Sequence, residues 1–146
     1  MVNSMLWTLL SAISVTASPA PEHPKVAEQV TFLYYDDLER AVHFYGDVLG
    51  LEKAFELSWV RMYRLSPTST VGLVNATKGS LRPSADKPVM VSLVVPLDAV
   101  ETWYTYLKER GVEIMSPPAI GADGNVKAFA FKDPEGYSLE VFAWLK

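Results

Sequence analysis

The sequence predicts an α+β protein of two βαβββ modules that form a curved mixed sheet around a cleft. Three observations carry this. The order strand, helix, strands occurs twice, with helix starts at Asp36 and Asp98. Each start is an Asp followed three residues later by a Glu, Asp36/Glu39 and Asp98/Glu101, the pattern of a capping box. Each helical stripe then stops at a glycine, Gly50 and Gly111, suited to the left-handed residue that ends a helix. One βαβββ unit cannot cover its own sheet, so an internal repeat implies two units packed together.

The elements follow in order. Val30–Tyr35 is rich in β-branched and aromatic residues and reads as a strand. Apolar residues at Leu38, Ala41, Val42, Tyr45, Val48 and Leu49 mark one face of a helix over Leu38–Leu49. His43 falls on the opposite, solvent-facing side of that helix. Leu51–Leu57, Ser58–Leu65 and Ser69–Asn75 read as three strands, with Ser66-Pro67-Thr68 as a turn. Lys78–Lys87 is polar, holds Gly79 and Pro83, and reads as the connection between halves. Val89–Val95 opens the second module, and Val100, Trp103, Tyr104 and Leu107 give the stripe of a helix over Ala99–Arg110. Ser116-Pro117-Pro118 reads as a stiff connection. Val126–Phe131 and Tyr137–Trp144 are the closing strands, joined by the turn Asp133-Pro134-Glu135-Gly136.

Composition limits the function classes. The chain has 146 residues, one domain's worth, of which 49% are hydrophobic and 21% charged, so it can bury a core and does not read as disordered. The net charge is −4 and no two basic residues are adjacent, which leaves no electrostatic footprint for nucleic acid. There is no cysteine, which excludes disulfides, thiolate nucleophiles and cysteine-based metal sites. Two histidines, His23 and His43, restrict imidazole chemistry. Asn75-Ala76-Thr77 is a formal glycosylation sequon.

The N-terminus departs from the rest. Met5–Ala17 is an apolar run shorter than the roughly 20 residues a bilayer span needs. Val15 and Ala17 place small residues before a cleavage point, as in a secretory signal peptide. Residues 1–17 are therefore expected to direct export to the periplasm or medium, with no membrane span in the mature chain. Residues 18–27, with Pro19, Pro21 and Pro24, form a linker. A single domain over 28–146 follows, with modules at 28–77 and 88–146.

Two segments carry a family resemblance. Asp37-Leu38-Glu39-Arg40-Ala41-Val42-His43-Phe44-Tyr45 with Val48-Leu49-Gly50 resembles the first-helix segment of glyoxalase, bleomycin-resistance and extradiol-dioxygenase proteins, the vicinal oxygen chelate (VOC) superfamily. Phe131-Lys132-Asp133-Pro134-Glu135-Gly136-Tyr137-Ser138-Leu139-Glu140-Val141-Phe142 resembles the closing hairpin of the same family. The resemblance implies the glyoxalase/VOC fold and a homodimer. It also implies four candidate metal-ligand positions, at Val30, at Gly72 or Leu73, near Met90 and at Glu140. Only Glu140 has a ligand's chemistry. Gln29 neighbours Val30 but alternation turns it to the other face. No cofactor is expected, and a divalent metal through Glu140 has little support from the sequence.

Alternation carries the Val30 face to Phe32 and Tyr34, the Met90 face to Ser92 and Val94, and the Glu140 face to Ser138, Phe142 and Trp144. From the third strand, the face of Trp59, Arg61 and Tyr63 completes the expected lining. This set suits a small aromatic or amphipathic ligand. Alternatives stay open: the aromatics fill the cleft as core, Glu140 is a structural carboxylate, or the protein is a lyase, isomerase or dioxygenase using Glu140 as base or metal ligand.

Overall fold

The computed structural model describes residues 24–145. The expected signal peptide, residues 1–17, and most of the expected linker, residues 18–27, lie outside these residues. Residues 24–27 carry no regular structure and are exposed.

Module one comprises β1 (Gln29–Tyr35), α1 (Leu38–His43), a π-helical turn (Phe44–Val48), β2 (Lys53–Leu57), β3 (Val60–Ser66) and β4 (Ser69–Asn75). Module two comprises β5 (Met90–Val94), α2 (Ala99–Glu109), β6 (Ile114–Ile120), β7 (Val126–Lys132) and β8 (Ser138–Trp144). Each module makes a four-stranded mixed sheet, in the orders β1-β4-β3-β2 and β5-β8-β7-β6. The first strand of each pairs parallel with the last, β1 with β4 and β5 with β8, and the other pairings are antiparallel. The sequence repeat is thus a repeat of topology.

The helix starts differ from each other. Asp37, not Asp36, caps α1: its Oδ1 accepts the N–H of Arg40 at 3.1 Å. The Asp36 N–H instead donates to Glu135 Oε1 at 2.7 Å, across to the other module. At α2, Asp98 occupies the capping position without a side-chain bond, and Glu101 is drawn off to Lys127 Nζ at 2.5 Å. Both stop signals hold, with Gly50 and Gly111 at φ of 69° and 70°. After His43 the expected α-helix continues as the π turn. There Gly46 lies under Tyr63, whose hydroxyl would stand 3.0 Å from an added Cβ, so the absent side chain leaves room for the ring.

The core sits on the helix-bearing faces of both sheets. Leu33, Tyr35, Val71 and Leu73 from sheet one join Phe129, Phe131, Leu139 and Val141 from sheet two in one cluster with Tyr45, Val100 and Leu107. At the seam, Tyr35 Oη donates to Asp133 Oδ2 at 2.6 Å and Tyr45 Oη lies 3.3 Å from the same oxygen. Asp133 Oδ1 accepts the N–H groups of Glu135 and Tyr137, each at 2.9 Å. Tyr137 Oη accepts from the Tyr34 N–H and donates to the Tyr34 carbonyl, so it occupies the free edge of β1. Burial pushes the Asp133 carboxyl above the usual carboxylate range, against the opposing pull of its tyrosine and backbone donors. Burial likewise pushes the Tyr35 and Tyr45 hydroxyls up.

β6 replaces the expected connection at Ser116-Pro117-Pro118. It is an outer strand with two breaks in its register to β7, between Ile114 and Ser116 and between Ser116 and Ala119. An edge position with bulges is where a sheet tolerates proline. The connection between modules carries no strand or helix, and Arg82 Nη1 holds it by donating to the carbonyls of Ala76 (2.7 Å) and Gly79 (2.8 Å).

Candidate functional site

Strand register decides which side chains share the open face of each sheet, the face turned away from the helices. In module two, residues align in rows across β5, β8 and β7: Met90, Ser138 and Lys132; Ser92, Glu140 and Ala130; Val94, Phe142 and Ala128. Ser92 Oγ donates to Glu140 Oε1 at 2.6 Å. Lys132 Nζ donates to Ser138 Oγ at 2.8 Å and to the Gly136 carbonyl at 3.2 Å. Phe142 and Trp144 meet edge to face with centroids 5.2 Å apart. Around the polar residues Met90, Val94 and Trp144 are 49%, 59% and 61% exposed.

In module one the rows are Val30, Thr70 and Arg64; Phe32, Gly72, Met62 and Phe55; and Tyr34, Val74, Val60 and Leu57. Phe32 lies flat over Gly72: a Cβ there would stand 2.5 Å from the ring, so only glycine admits this contact. Phe32 remains 49% exposed. Tyr34 Oη lies 3.4 Å from Ser80 Oγ of the connecting segment.

The structure places Phe32, Tyr34, Met90, Ser92, Phe142 and Glu140 on these open faces, as alternation predicts. It does not bring Trp59, Arg61 and Tyr63 there. Arg61 pairs with Leu73 and Tyr63 with Val71, both on the helix-bearing face. Tyr63 is buried in the core cluster, its hydroxyl donates to the Val42 carbonyl at 3.3 Å, and burial pushes its hydroxyl up. The Arg61 guanidinium is consumed locally. Its Nε meets Glu56 at 2.7 Å, its Nη2 lies 3.6 Å from Glu39 of α1, and its Nη1 donates to the Leu57 carbonyl. Trp59 belongs to the turn between β2 and β3, where its carbonyl accepts the Asn75 N–H at 2.8 Å. The correction is one of phase. Alternation gives two faces of β3, and the position of the turn after β2 selects the face of Val60 and Met62 for the open side.

Sequence reasoning also missed Lys132. Its signal is the alternation of Ala128, Ala130 and Lys132 against the buried Phe129 and Phe131. His43 sits exposed on α1 with Nδ1 2.7 Å from Asp47 Oδ2, a local pair away from the open faces.

The sequence over residues 26–141 matches the family described as Glyoxalase/Bleomycin resistance protein/Dioxygenase superfamily. The chain belongs to this superfamily. Among solved structures, a glyoxalase/bleomycin resistance protein/dioxygenase from Nocardioides is 26% identical, with TM-score 0.70, covering 87% of this chain and 88% of that one. A lactoylglutathione lyase from Agrobacterium tumefaciens is 24% identical, with TM-score 0.67 and coverage of 83% and 96%. A superfamily member from Sphaerobacter thermophilus DSM 20745 is 23% identical, with TM-score 0.66 and coverage of 82% and 98%. The last two likenesses speak for the fold alone. No curated protein matches.

The superfamily resemblance brings a divalent metal into question, and the donor chemistry here does not fit one. The candidate positions carry Val30, Gly72, Met90 and Glu140, so a single carboxylate stands among apolar groups and the hydroxyls of Thr70, Ser92 and Ser138. Gln29 does not fill the gap, since its amide bonds Ser69 and Thr31 along the edge of the helix-bearing face. Among the described residues no three His, Cys, Asp or Glu side chains stand close enough to hold an ion. Transition metals bind stably through three or four such donors.

Proposed function

We propose that this superfamily member is an exported, metal-independent binding protein that holds a small aromatic or amphipathic molecule against the open faces of its sheets. The observation that carries the reading is an exposed apolar lining, Met90, Val94 and Trp144 with the partly exposed Phe142, on the same open face as the hydrogen-bonded Ser92–Glu140 pair, and an exposed Phe32 on the open face of the other sheet. Such a surface removes a flat apolar body from water and offers a few polar contacts to orient it. The same exposure supports a homodimer. Phe32, Phe55 and Leu57 on one open face and Met90, Val94 and Trp144 on the other leave apolar area that a second copy would cover. Export rests on the N-terminal pattern at residues 1–17.

The test is titration of the purified mature chain with the neutral fluorophore N-phenyl-1-naphthylamine, alongside metal analysis. Saturable binding by dialysed protein, unaffected by chelator, is expected, and Phe32→Ala should weaken it. A stoichiometric transition metal that resists dialysis, or no saturable binding, would overturn the reading. Light scattering should give the mass of two chains. Mass spectrometry of protein recovered outside the cytosol should show a chain beginning at Ser18.

A further inference from the structure

We propose that Lys132 and Ser138 form an anion-binding pole of the ligand site, one row along β8 from Ser92 and Glu140. The bound molecule would then be an aromatic acid that carries a hydrogen-bond donor on or near its ring. The inference deepens the binding reading above and rests on it.

Lys132, Ser138 and Met90 form one row of the open face, and Ala130, Glu140 and Ser92 form the next. Rows two residues apart along a strand are separated by roughly 6–7 Å. The Lys132 ammonium has three protons. Two go to Ser138 Oγ and the Gly136 carbonyl, and no carboxylate lies within ion-pair distance among the described residues. Glu140 uses Oε1 to accept from Ser92, while among the described residues Oε2 has no hydrogen-bond partner. The face therefore offers one unneutralised cation and one carboxylate oxygen, each with open hydrogen-bonding capacity, about one ring length apart.

The surroundings set the shape between them. Ala128 and Ala130 keep β7 low on this face, while Met90 and Val94 stand on β5 and the Phe142–Trp144 pair stands at the end of β8. A ring laid over the alanines would direct its acid group to Lys132 and Ser138 and its hydroxyl or amino group to Glu140. A neutral apolar ligand would leave both charges without partners as it covered them, which costs binding energy. The arrangement thus selects for charge as well as for an apolar body.

Two probes with the same ring framework test this on the full mature chain: anionic 1-anilinonaphthalene-8-sulfonate and neutral N-phenyl-1-naphthylamine. Lys132→Met keeps the aliphatic stem and removes the charge. It should weaken the sulfonate by about fivefold, the yield of a half-exposed ion pair, and leave the neutral probe within about twofold. Glu140→Gln should shift the sulfonate the other way, toward tighter binding. Ser138→Ala, a smaller change to the fold, should weaken the sulfonate selectively by a lesser factor, and Lys132→Arg should retain it. Equal loss of both probes in Lys132→Met, or no change in either with Ser138→Ala also silent, would overturn the anion pole while leaving the binding reading in place. If the wild-type chain binds neither probe, the binding reading falls, and this inference with it.

Discussion

Replacing Tyr35 by Phe removes one atom from the seam between modules and should cost about 2 kcal/mol. Tyr35 is wholly buried, and its hydroxyl gives Asp133 Oδ2 its shortest hydrogen bond, 2.6 Å. A hydrogen bond to an ionised group contributes about 1.5–3 kcal/mol, and the loss leaves a carboxylate oxygen of a 4%-exposed residue with only Tyr45 at 3.3 Å. Tyr45→Phe deletes that longer contact and should cost about 1 kcal/mol or less. The pair shares one acceptor, so the double variant should depart from additivity by at least about 0.5 kcal/mol. Urea unfolding reads all three. With a slope of about 2 kcal/mol per molar, Tyr35→Phe should lower the midpoint by about 1 M at unchanged slope. A Tyr35→Phe midpoint within error of wild type, or a Tyr45→Phe loss as large, would refute the claim that Tyr35–Asp133 is the principal polar link of the seam.

Other substitutions probe other parts of the structure. Asp133→Asn should alter how stability depends on pH. The folded state holds this proton more tightly than the unfolded chain, so the contribution is fully present below the unfolded carboxylate value of about 4 and is lost as pH rises through the raised folded value; thermal midpoints of wild type against Asn across that range should show wild type losing relative ground. Asp37→Ala should cost about 1 kcal/mol and Asp98→Ala close to nothing, since only Asp37 makes a cap bond; equal losses in chemical denaturation would contradict the assigned caps. Gly72→Ala should destabilise by about 1–3 kcal/mol through collision with Phe32, and Phe32→Ala in the same chain should recover part of the loss. Leu107→Ala, at a fully buried position of α2, should cost about 2–5 kcal/mol, measured by the same unfolding curves.

The repeat, the stop glycines and β4 were legible because each rests on local chemistry: period, φ preference and turn residues. Ser69–Asn75 matches its strand at both ends. What was hidden depends on distant partners. Two successive aspartates offer the same cap locally, and only the capture of the Asp36 N–H by Glu135 shows why Asp37 is used. The prolines of β6 argue against a strand unless its edge position is known. Aromatic content drew attention to Trp59 and Tyr63, but aromatic side chains serve a core as readily as a cleft, and the register to β4 assigns Tyr63 to the core. The open-face residues of β1, β5 and β8 were legible because alternation runs from a fixed point in a family motif. Lys132 lies in the same closing motif, yet its role as neighbour of Ser138 appears only across the hairpin.

Pro117 and Pro118 also bear on how copies of this chain can meet. A bare strand edge is a template: an incoming strand can add to it, present a new edge, and repeat without limit. Two consecutive residues without N–H groups, together with two slips in pitch, deny β6 a continuous run of donors. At the far rim of the other sheet, every residue of β2 is exposed, but the strand carries Lys53 and Glu56, bonded to each other, which an added strand would have to accommodate. Open-ended growth through the outer rims is thereby discouraged. Any self-association would have to use surfaces other than these two rims.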